Sequence, residues 1–139
     1  MQTILVPMDR GEQSTRAFEY ALENFGEESI LILHVIDPIE AGYSATATVP
    51  GYTEEWYEQA KDSAEELFAE ARELAGEVEV DTDTEVGRPS RAIVEYAEEH
   101  DVDHIVMGSH GRSGVTRILL GSVAEAVVRR SPVPVTIVR

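Results

Sequence analysis

The chain has 139 residues, and its 27 Asp and Glu against 11 Lys and Arg give it a formal net charge of −16 at pH 7. A surface this acidic repels nucleic acid and anionic membranes, which excludes both as expected partners. Cysteine is absent, so disulfides and thiolate metal sites are excluded, and no apolar run approaches the roughly 18 residues that span a bilayer.

The length fits one domain over residues 1–139. The first residues lack the basic region and the cleavage site of a secretory signal, so we expect a cytoplasmic protein. Lys61 is the sole lysine, and the other cationic residues are arginine. Two interpretations of the charge stay open. Either the protein is salt-adapted (halophilic), and concentrated salt screens the repulsion between its carboxylates, or it is an ordinary acidic cytosolic protein.

Strand-like and helix-like segments alternate from the start of the chain, which predicts a parallel sheet wrapped by helices. Near-continuous apolar runs at residues 3–7 and 29–36 predict strands that are covered on both faces. Between them, apolar residues at helical spacing predict a first helix that ends at Gly26. Its inward side would carry Ala17, Phe18, Ala21, Leu22 and Phe25.

A second helix is predicted from about Thr53 to Ala75, with Gly76 beyond its end. Residues 39–52, before it, form the only long segment without periodicity; they are interpreted either as a lid over a ligand or as a disordered loop. The residues predicted to face inward from the second helix are Trp56, Ala60, Ala64, Leu67, Phe68, Ala71 and Leu74.

Residues 78–86 alternate apolar or Thr with acidic side chains, which predicts a strand with one wet face, at an edge of the sheet. A third helix would begin at Pro89, since proline suits the first helical position. An apolar run at residues 103–107 predicts the next strand. The inward residues expected on the third helix are Ala92, Ile93, Tyr96 and Ala97.

The stretch after this run, residues 108–122, reads GSHGRSGVTRILLGS and is the most informative part of the chain. Glycines let a backbone approach a ligand closely, and consecutive amides can form a concave nest for an anion. Ser122 and Glu125 have capping-box spacing, which predicts that the last helix begins at Ser122, with Val123, Ala126 and Val127 on one side. Because a helix start offers unpaired N–H groups, the stretch predicts a nucleotide phosphate site.

The spacing Gly108-x2-Gly111-x9-Gly121-Ser122 resembles G-2x-G-9x-G-[S/T], the nucleotide-binding signature of the universal stress protein (UspA-type) family. Residues 4–9, 31–36 and 131–135 resemble the opening, second and closing strands of that family. The resemblance spans the chain and implies a Rossmann-like α/β fold. This is a doubly wound five-stranded parallel sheet of order 3-2-1-4-5, with helices on both faces, that binds adenine nucleotide.

With this strand order, the ends of the first and fourth strands face each other where ligands bind in open parallel sheets. The resemblance implies that Asp9 accepts hydrogen bonds from ribose hydroxyls; the alternative is that Asp9 caps the first helix through Asp9-x-x-Glu12. It also implies that the backbone of Val35 meets the adenine, although the residue by itself reads as core strand. The full expected site is Pro7, Met8, Asp9, Val35, Met107, Gly108, Ser109, His110, Gly111, Arg112, Gly121, Ser122 and Val123.

The expected cofactor is ATP, bound at roughly micromolar affinity with magnesium on its phosphates, in a stress-response or regulatory module. No Walker A loop and no metal-ligand spacing occur, so we assign neither catalytic residues nor a metal site and expect slow hydrolysis at most. His110 is the best candidate for a general acid or base, against a histidine that only contacts phosphate or solvent. The alternatives are a slow ATP hydrolase and a structural stress protein that uses no nucleotide.

Residues 133–138 form an apolar segment that contains Pro134, which predicts an edge strand. An exposed apolar edge invites pairing with another chain. The family resemblance implies a homodimer through these residues.

Overall fold

The structure is a computed structural model that describes residues 1–38, 52–110 and 120–139. Within these ranges strands and helices alternate along the chain, as the sequence pattern predicts. The elements are β1 (Thr3–Pro7), α1 (Glu12–Phe25), β2 (Ser29–Ile36), α2 (Tyr52–Ala75), β3 (Val80–Val86), α3 (Pro89–Glu99), β4 (His104–Gly108), α4 (Ser122–Arg130) and β5 (Val135–Val138).

The five strands form one parallel sheet in the order β3-β2-β1-β4-β5, which confirms the predicted order and places β3 at an edge. β1 lies at the centre, because it pairs with β2 on one side and with β4 on the other. At the carboxyl end of the sheet Pro7 is in register with Leu33, and Gly108 is in register with Val138. The chain leaves β1 and β4 from the same edge.

Helices cover both faces of the sheet, as expected. α1 and α2 pack on one face, where Phe18 and Phe68 are fully buried beside Ile4 and Val6 of β1. α3 and α4 pack on the other face against Leu5 and its neighbours. Because successive side chains of a strand point to opposite faces, β1 contributes to both cores, which explains its near-continuous apolar sequence.

Most of the predicted helix boundaries are confirmed. Gly76 follows α2 with a φ of 63°, the left-handed conformation that glycine adopts at low cost after a helix. Pro89 is the first residue of α3. No helix among the described residues has both the length and the apolar character that a bilayer crossing requires.

Two inward-facing predictions for the helices need correction. Leu74 of α2 is 46% exposed, and Ala75 is buried in its place. The buried positions Ala64, Phe68, Ala71 and Ala75 mark the centre of the buried stripe, and Leu74 lies at its margin, about 100° around the helix from Ala75. In α4 the buried residues are Ala124 and Val127, and Ala124 was not predicted to face inward.

The predicted wet face of β3 is also only partly right. Asp83 and Glu85 are half-buried, and Val86 is exposed instead. The Tyr96 hydroxyl of α3 reaches over this face and donates to Asp83 Oδ2 at 2.7 Å. Burial, together with this bond to a carboxylate, raises the pKa of Tyr96 well above its ordinary value of 10.0. An acidic side chain on an edge strand is therefore part of the packing between β3 and α3.

Candidate functional site

The residues after β1 remain attached to β2. The Met8 N–H donates to the Leu33 carbonyl at 2.9 Å. His34 Nδ1 lies 2.8 Å from the Met8 carbonyl oxygen, and because a carbonyl can only accept, Nδ1 is the donor. His34, which the sequence did not single out for the site, thus holds the backbone at the carboxyl end of β1.

Asp9 shapes the turn between β1 and α1. Its Oδ1 accepts the Gly11 N–H at 2.6 Å, which is an Asx turn. The buried Ser14 hydroxyl donates to the Asp9 carbonyl at 2.9 Å. The N-cap of α1 is Gly11, with no side-chain cap, so the alternative in which Asp9 caps the helix through Asp9-x-x-Glu12 is wrong. The Asp9 carboxylate instead stabilises the turn before the helix, two residues before the N-cap Gly11.

Arg10 extends away from this turn toward α2. Its guanidinium donates to the carbonyl and the hydroxyl of Ser63, at 2.9 and 2.7 Å, and lies 3.7 Å from the Glu66 carboxylate. The hydrogen bonds to Ser63 tie the β1–α1 turn to the middle of α2. This cation is engaged with α2 and with a carboxylate.

Gln13, in the first turn of α1, binds the residues that follow β4. Its Oε1 lies 2.5 Å from Ser109 Oγ and accepts the His110 N–H at 2.8 Å. These two hydrogen bonds join Gln13 to residues that lie 96 and 97 positions further along the chain. Sequence analysis missed Gln13, because a polar residue in a first helical turn resembles any solvated position.

The start of α4 is held against the end of β4. The Gly121 N–H donates to the Ser109 carbonyl at 2.6 Å, and the first bond within the helix runs from the Glu125 N–H to the Gly121 carbonyl at 3.0 Å. The N–H groups of Ser122, Val123 and Ala124 precede that bond and have no carbonyl partner within α4. Three backbone donors at the positive end of the helix dipole therefore lie near the carboxyl edge of the sheet.

The last helix begins at Ser122, as predicted, but the predicted capping box is wrong. Gly121 is the N-cap, with an extended φ of −71° and ψ of 170°, and no side chain caps the helix. Ser122 is the first helical residue and is exposed. Glu125 pairs with Arg129 at 2.9 Å instead. Among the described residues, therefore, no side chain accepts from the N–H groups that the capping box would have used.

Two of the main-chain groups expected near phosphate already have partners. The Ser109 N–H donates to the Val138 carbonyl at 3.0 Å, and the His110 N–H donates to Gln13. The expected donation from the Ser109 N–H is therefore not available in this conformation. Gly111 and Arg112 lie outside the described residues, as do residues 39–51 of the segment interpreted as a lid or a disordered loop.

The remaining expected residues lie around the same edge. Pro7, Met8 and Met107 are buried at the ends of β1 and β4. Val35 lies near the end of β2, in register with Glu85 of β3, and is half-buried against the α3–α4 core. In the described part of the chain, no group of three His, Asp or Glu side chains could hold a metal ion.

Comparisons with known proteins agree with this architecture. A model of the Universal stress protein family matches residues 1–139. Universal stress protein MJ0531 of Methanocaldococcus jannaschii is 33% identical over 138 residues, which cover 98% of this chain and 81% of that protein.

Solved structures show the same similarity. Universal stress protein UspA from Lactobacillus plantarum aligns with a TM-score of 0.86 at 25% identity, over 99% of this chain and 97% of the other. A universal stress protein solved in complex with cAMP aligns with a TM-score of 0.63 at 27% identity, over 99% of this chain and 97% of the other.

Proposed function

The chain belongs to the universal stress protein family, and we propose that it binds ATP at the carboxyl edge of its sheet, as a nucleotide-dependent stress-response or regulatory module formed by one domain. One observation carries the proposal. The bond from the Gly121 N–H to the Ser109 carbonyl holds the start of α4 against the end of β4. The first N–H groups of α4 would then face a ligand at the carboxyl ends of β1 and β4, where open parallel sheets bind ligands.

The phosphates would bind at the helix start. The N–H groups of Ser122, Val123 and Ala124 are unpaired within α4 and point along its axis. Hydrogen bonds to charged groups contribute roughly 1.5–3 kcal/mol each, and a helix terminus adds about 0.3–1 kcal/mol. A few such donors exceed an association cost of at least about 4 kcal/mol. Together with adenine burial, they support an affinity near micromolar.

The net charge of −16 opposes an anionic ligand only weakly at this site. Repulsion between solvent-exposed charges is largely screened beyond about 8–10 Å at physiological salt. The donors of the helix start act at hydrogen-bond distance, so their local attraction outweighs the long-range repulsion.

The nucleoside would lie on the side of β1 and β2. We propose that Asp9, at the turn after β1, accepts hydrogen bonds from the ribose, and that the backbone of Val35 meets the adenine. The Asx turn at Asp9 and the bond from His34 to the Met8 carbonyl hold this backbone in place. The universal stress protein solved with cAMP, at 27% identity, supports an adenine nucleotide as the ligand class.

We propose that magnesium, where present, binds to the phosphates themselves, since the described residues supply no carboxylate cluster for a metal. When bound to the phosphates, the ion would neutralise part of their charge. The backbone donors of α4 would orient the phosphates at the helix start. Binding, rather than turnover, is the proposed activity, and slow hydrolysis stays the alternative.

We also propose that two copies pair antiparallel through β5. The Pro134 and Val138 carbonyls accept from Ile105 and Ser109, so the even-numbered residues of this segment turn toward β4. Hydrogen-bonding groups alternate sides along a strand, so Val135 and Ile137 turn theirs to the open edge. Pro134 precedes β5 and costs that edge no donor, because its position turns toward β4.

Two measurements test the proposed site. Mass spectrometry of small molecules released from freshly purified protein should detect adenine nucleotide. Calorimetric titration of the stripped protein with ATP and magnesium should give a Kd in the range of about 1–100 μM. Absence of both bound nucleotide and binding heat would overturn the proposal. Rapid magnesium-dependent phosphate release would favour the hydrolase instead.

A further inference from the structure

The His110 ring lies beside the N-cap of α4, where we propose that phosphate binds, and has one unpaired nitrogen. Nε2 is buried and, in the described part of the chain, is the one buried side-chain nitrogen or oxygen without a hydrogen-bond partner. The adjacent ring carbon, Cδ2, lies 3.8 Å from the position that a Cβ on Gly121 would take. Leaving a buried polar atom unpaired is costly, so an unpaired Nε2 beside the N-cap of α4 points to a ligand.

The hydrogen bonds around Gln13 determine which ring nitrogen carries hydrogen. The His110 main-chain N–H can only donate, so the Gln13 atom 2.8 Å from it must be the carbonyl oxygen Oε1. Ser109 Oγ lies 2.5 Å from the same oxygen and must donate its single hydrogen there. His110 Nδ1 then faces two acceptors, Ser109 Oγ at 3.0 Å and Gln13 Oε1 at 3.3 Å. Nδ1 therefore carries a hydrogen.

The hydrogen on Nδ1 restricts how Nε2 can bind an anionic ligand. Phosphate oxygens are acceptors, so Nε2 can bind one only if Nε2 also carries a hydrogen. Because the acceptors around Nδ1 keep a hydrogen on that atom, the ring must then be an imidazolium. We infer that Gln13 positions His110 for a proton-linked contact. On nucleotide binding, Nε2 takes up one proton from solvent and donates it in a hydrogen bond to a phosphate oxygen, an inference that rests on the proposed function.

The charged side chains on the described elements around His110 have partners of their own or lie in solvent. Asp9 accepts the Gly11 N–H in its turn. Arg139, which follows the Val138 partner of Ser109, is exposed. Other charged side chains of the β1–α1 turn, α1 and α4 form ion pairs, namely Arg10 with Glu66, Arg16 with Glu12, and Arg129 with Glu125.

Calorimetry measures proton uptake on ATP binding directly. ATP is titrated at pH 8, where an ordinary imidazole, with a pKa of about 6.5, is neutral and the terminal phosphate, with a pKa of about 6, is ionised. Two buffers of different ionisation enthalpy are compared, and the change in observed heat gives the protons taken up. The wild type should take up about one proton per nucleotide. Binding without proton uptake would overturn this inference alone, whereas absence of binding would overturn the proposed function as well.

Two His110 variants distinguish the hydrogen bond to phosphate from the uptake of a proton by the ring. His110→Gln places a neutral amide donor near the Nε2 position, so ATP should bind within a few-fold of wild type without proton uptake. His110→Asn retains an amide only near the Nδ1 position, so binding should weaken roughly 10- to 100-fold, also without uptake. His100→Asn, at the exposed end of α3, is the control and should behave as wild type. Unchanged proton uptake in both His110 variants would contradict the assignment to Nε2.

Nitrogen-15 spectra of the nucleotide-free protein test the role of Gln13 by itself. At pH 8 the His110 ring should carry its hydrogen on Nδ1 in the wild type and in Gln13→Glu, which keeps an acceptor. Gln13→Leu should release the ring, so that the hydrogen exchanges between both nitrogens, while Gln59→Leu on α2 should have no effect. A Gln13→Leu spectrum identical to that of the wild type would show that Gln13 does not position the ring.

Discussion

Gly108 at the end of β4 lies directly against Gln13 in the first turn of α1. A Cβ at position 108 would stand 2.9 Å from the Gln13 carbonyl carbon, and 3.0 Å from its carbonyl oxygen and its Cβ. Glycine at this position lets α1 approach β4 closely enough for the Gln13 side chain to reach Ser109 and His110. The first glycine of the signature therefore serves a contact between helix and strand in addition to any contact with a ligand.

Gly108→Ala should disturb both stability and binding. The added methyl group meets backbone rather than a flexible side chain, so we expect a loss of about 1–3 kcal/mol in the free energy of unfolding, measured in urea. ATP affinity should fall too, because α1 carries Gln13 away from His110. Gly76→Ala is the control. Its φ of 63° disfavours alanine, but its Cβ would meet nothing within 4 Å, so it should lower stability and leave ATP affinity unchanged.

Gly121→Val should weaken ATP binding at the helix start. A Cβ here would lie 3.3 Å from the Ser109 carbonyl oxygen and 3.4 Å from His110 Cα. The branched side chain adds two further methyl groups to this crowded position, so the N-cap of α4 should shift and its donors should lose alignment. We expect a loss of at least about tenfold in affinity, close to one donor's contribution. An unchanged calorimetric Kd in a folded variant would contradict the site.

Tyr96→Phe should destabilise the protein by about 1–3 kcal/mol, because it removes a partly buried hydrogen bond to the Asp83 carboxylate. The raised pKa of Tyr96 gives this difference a pH dependence. The protonated Tyr96 hydroxyl contributes its full stabilisation below the pKa of tyrosine in the unfolded chain, about 10. The contribution declines as the pH rises further, because the unfolded chain then releases the tyrosine proton while the folded protein retains it. The difference in unfolding free energy between the variant and the wild type should therefore narrow above pH 10. A constant difference between pH 8 and pH 11 would contradict this expectation.

Association through β5 should depend on the N–H of Ile137. Light scattering of the wild type should give twice the mass of one chain, and Ile137→Pro should give a monomer, since proline removes a donor from the open edge. Ile137→Ala loses the same side chain but keeps the N–H, so it should remain dimeric. Equal masses for the two variants would argue against pairing along this strand.

Stability should rise with salt if the charge reflects adaptation to concentrated salt. With 27 acidic against 11 basic residues, repulsion between carboxylates should dominate at low ionic strength and be screened near molar potassium chloride. The thermal midpoint should therefore increase steadily with added salt. A midpoint that stays level toward molar concentration would favour an ordinary acidic protein.

Prediction from the sequence succeeded where a local pattern specifies structure. The apolar runs at residues 3–7 and 29–36 coincide with β1 and β2, and Pro89 begins α3. Prediction failed where two adjacent residues could each serve as the N-cap of a helix. Ser122 has the spacing of a capping residue, yet Gly121 takes the extended conformation of the N-cap, because its N–H is bound to the Ser109 carbonyl. A capping pattern, which covers four consecutive residues, contains no information about such a contact with another part of the chain.

The amino-acid sequence alone determined which segments form strands and helices and in what order they follow, because periodicity is a property of short segments. The glycine spacing carried the family resemblance, which implied the strand order that the structure confirms. Only the tertiary structure decided that Gln13 holds Ser109 and His110, through the hydrogen bonds from which we infer the hydrogen on His110 Nδ1. These features depend on packing α1 against the end of β4. A hydrogen bond between residues 96 or 97 positions apart forms only when the whole sheet brings them within about 3 Å.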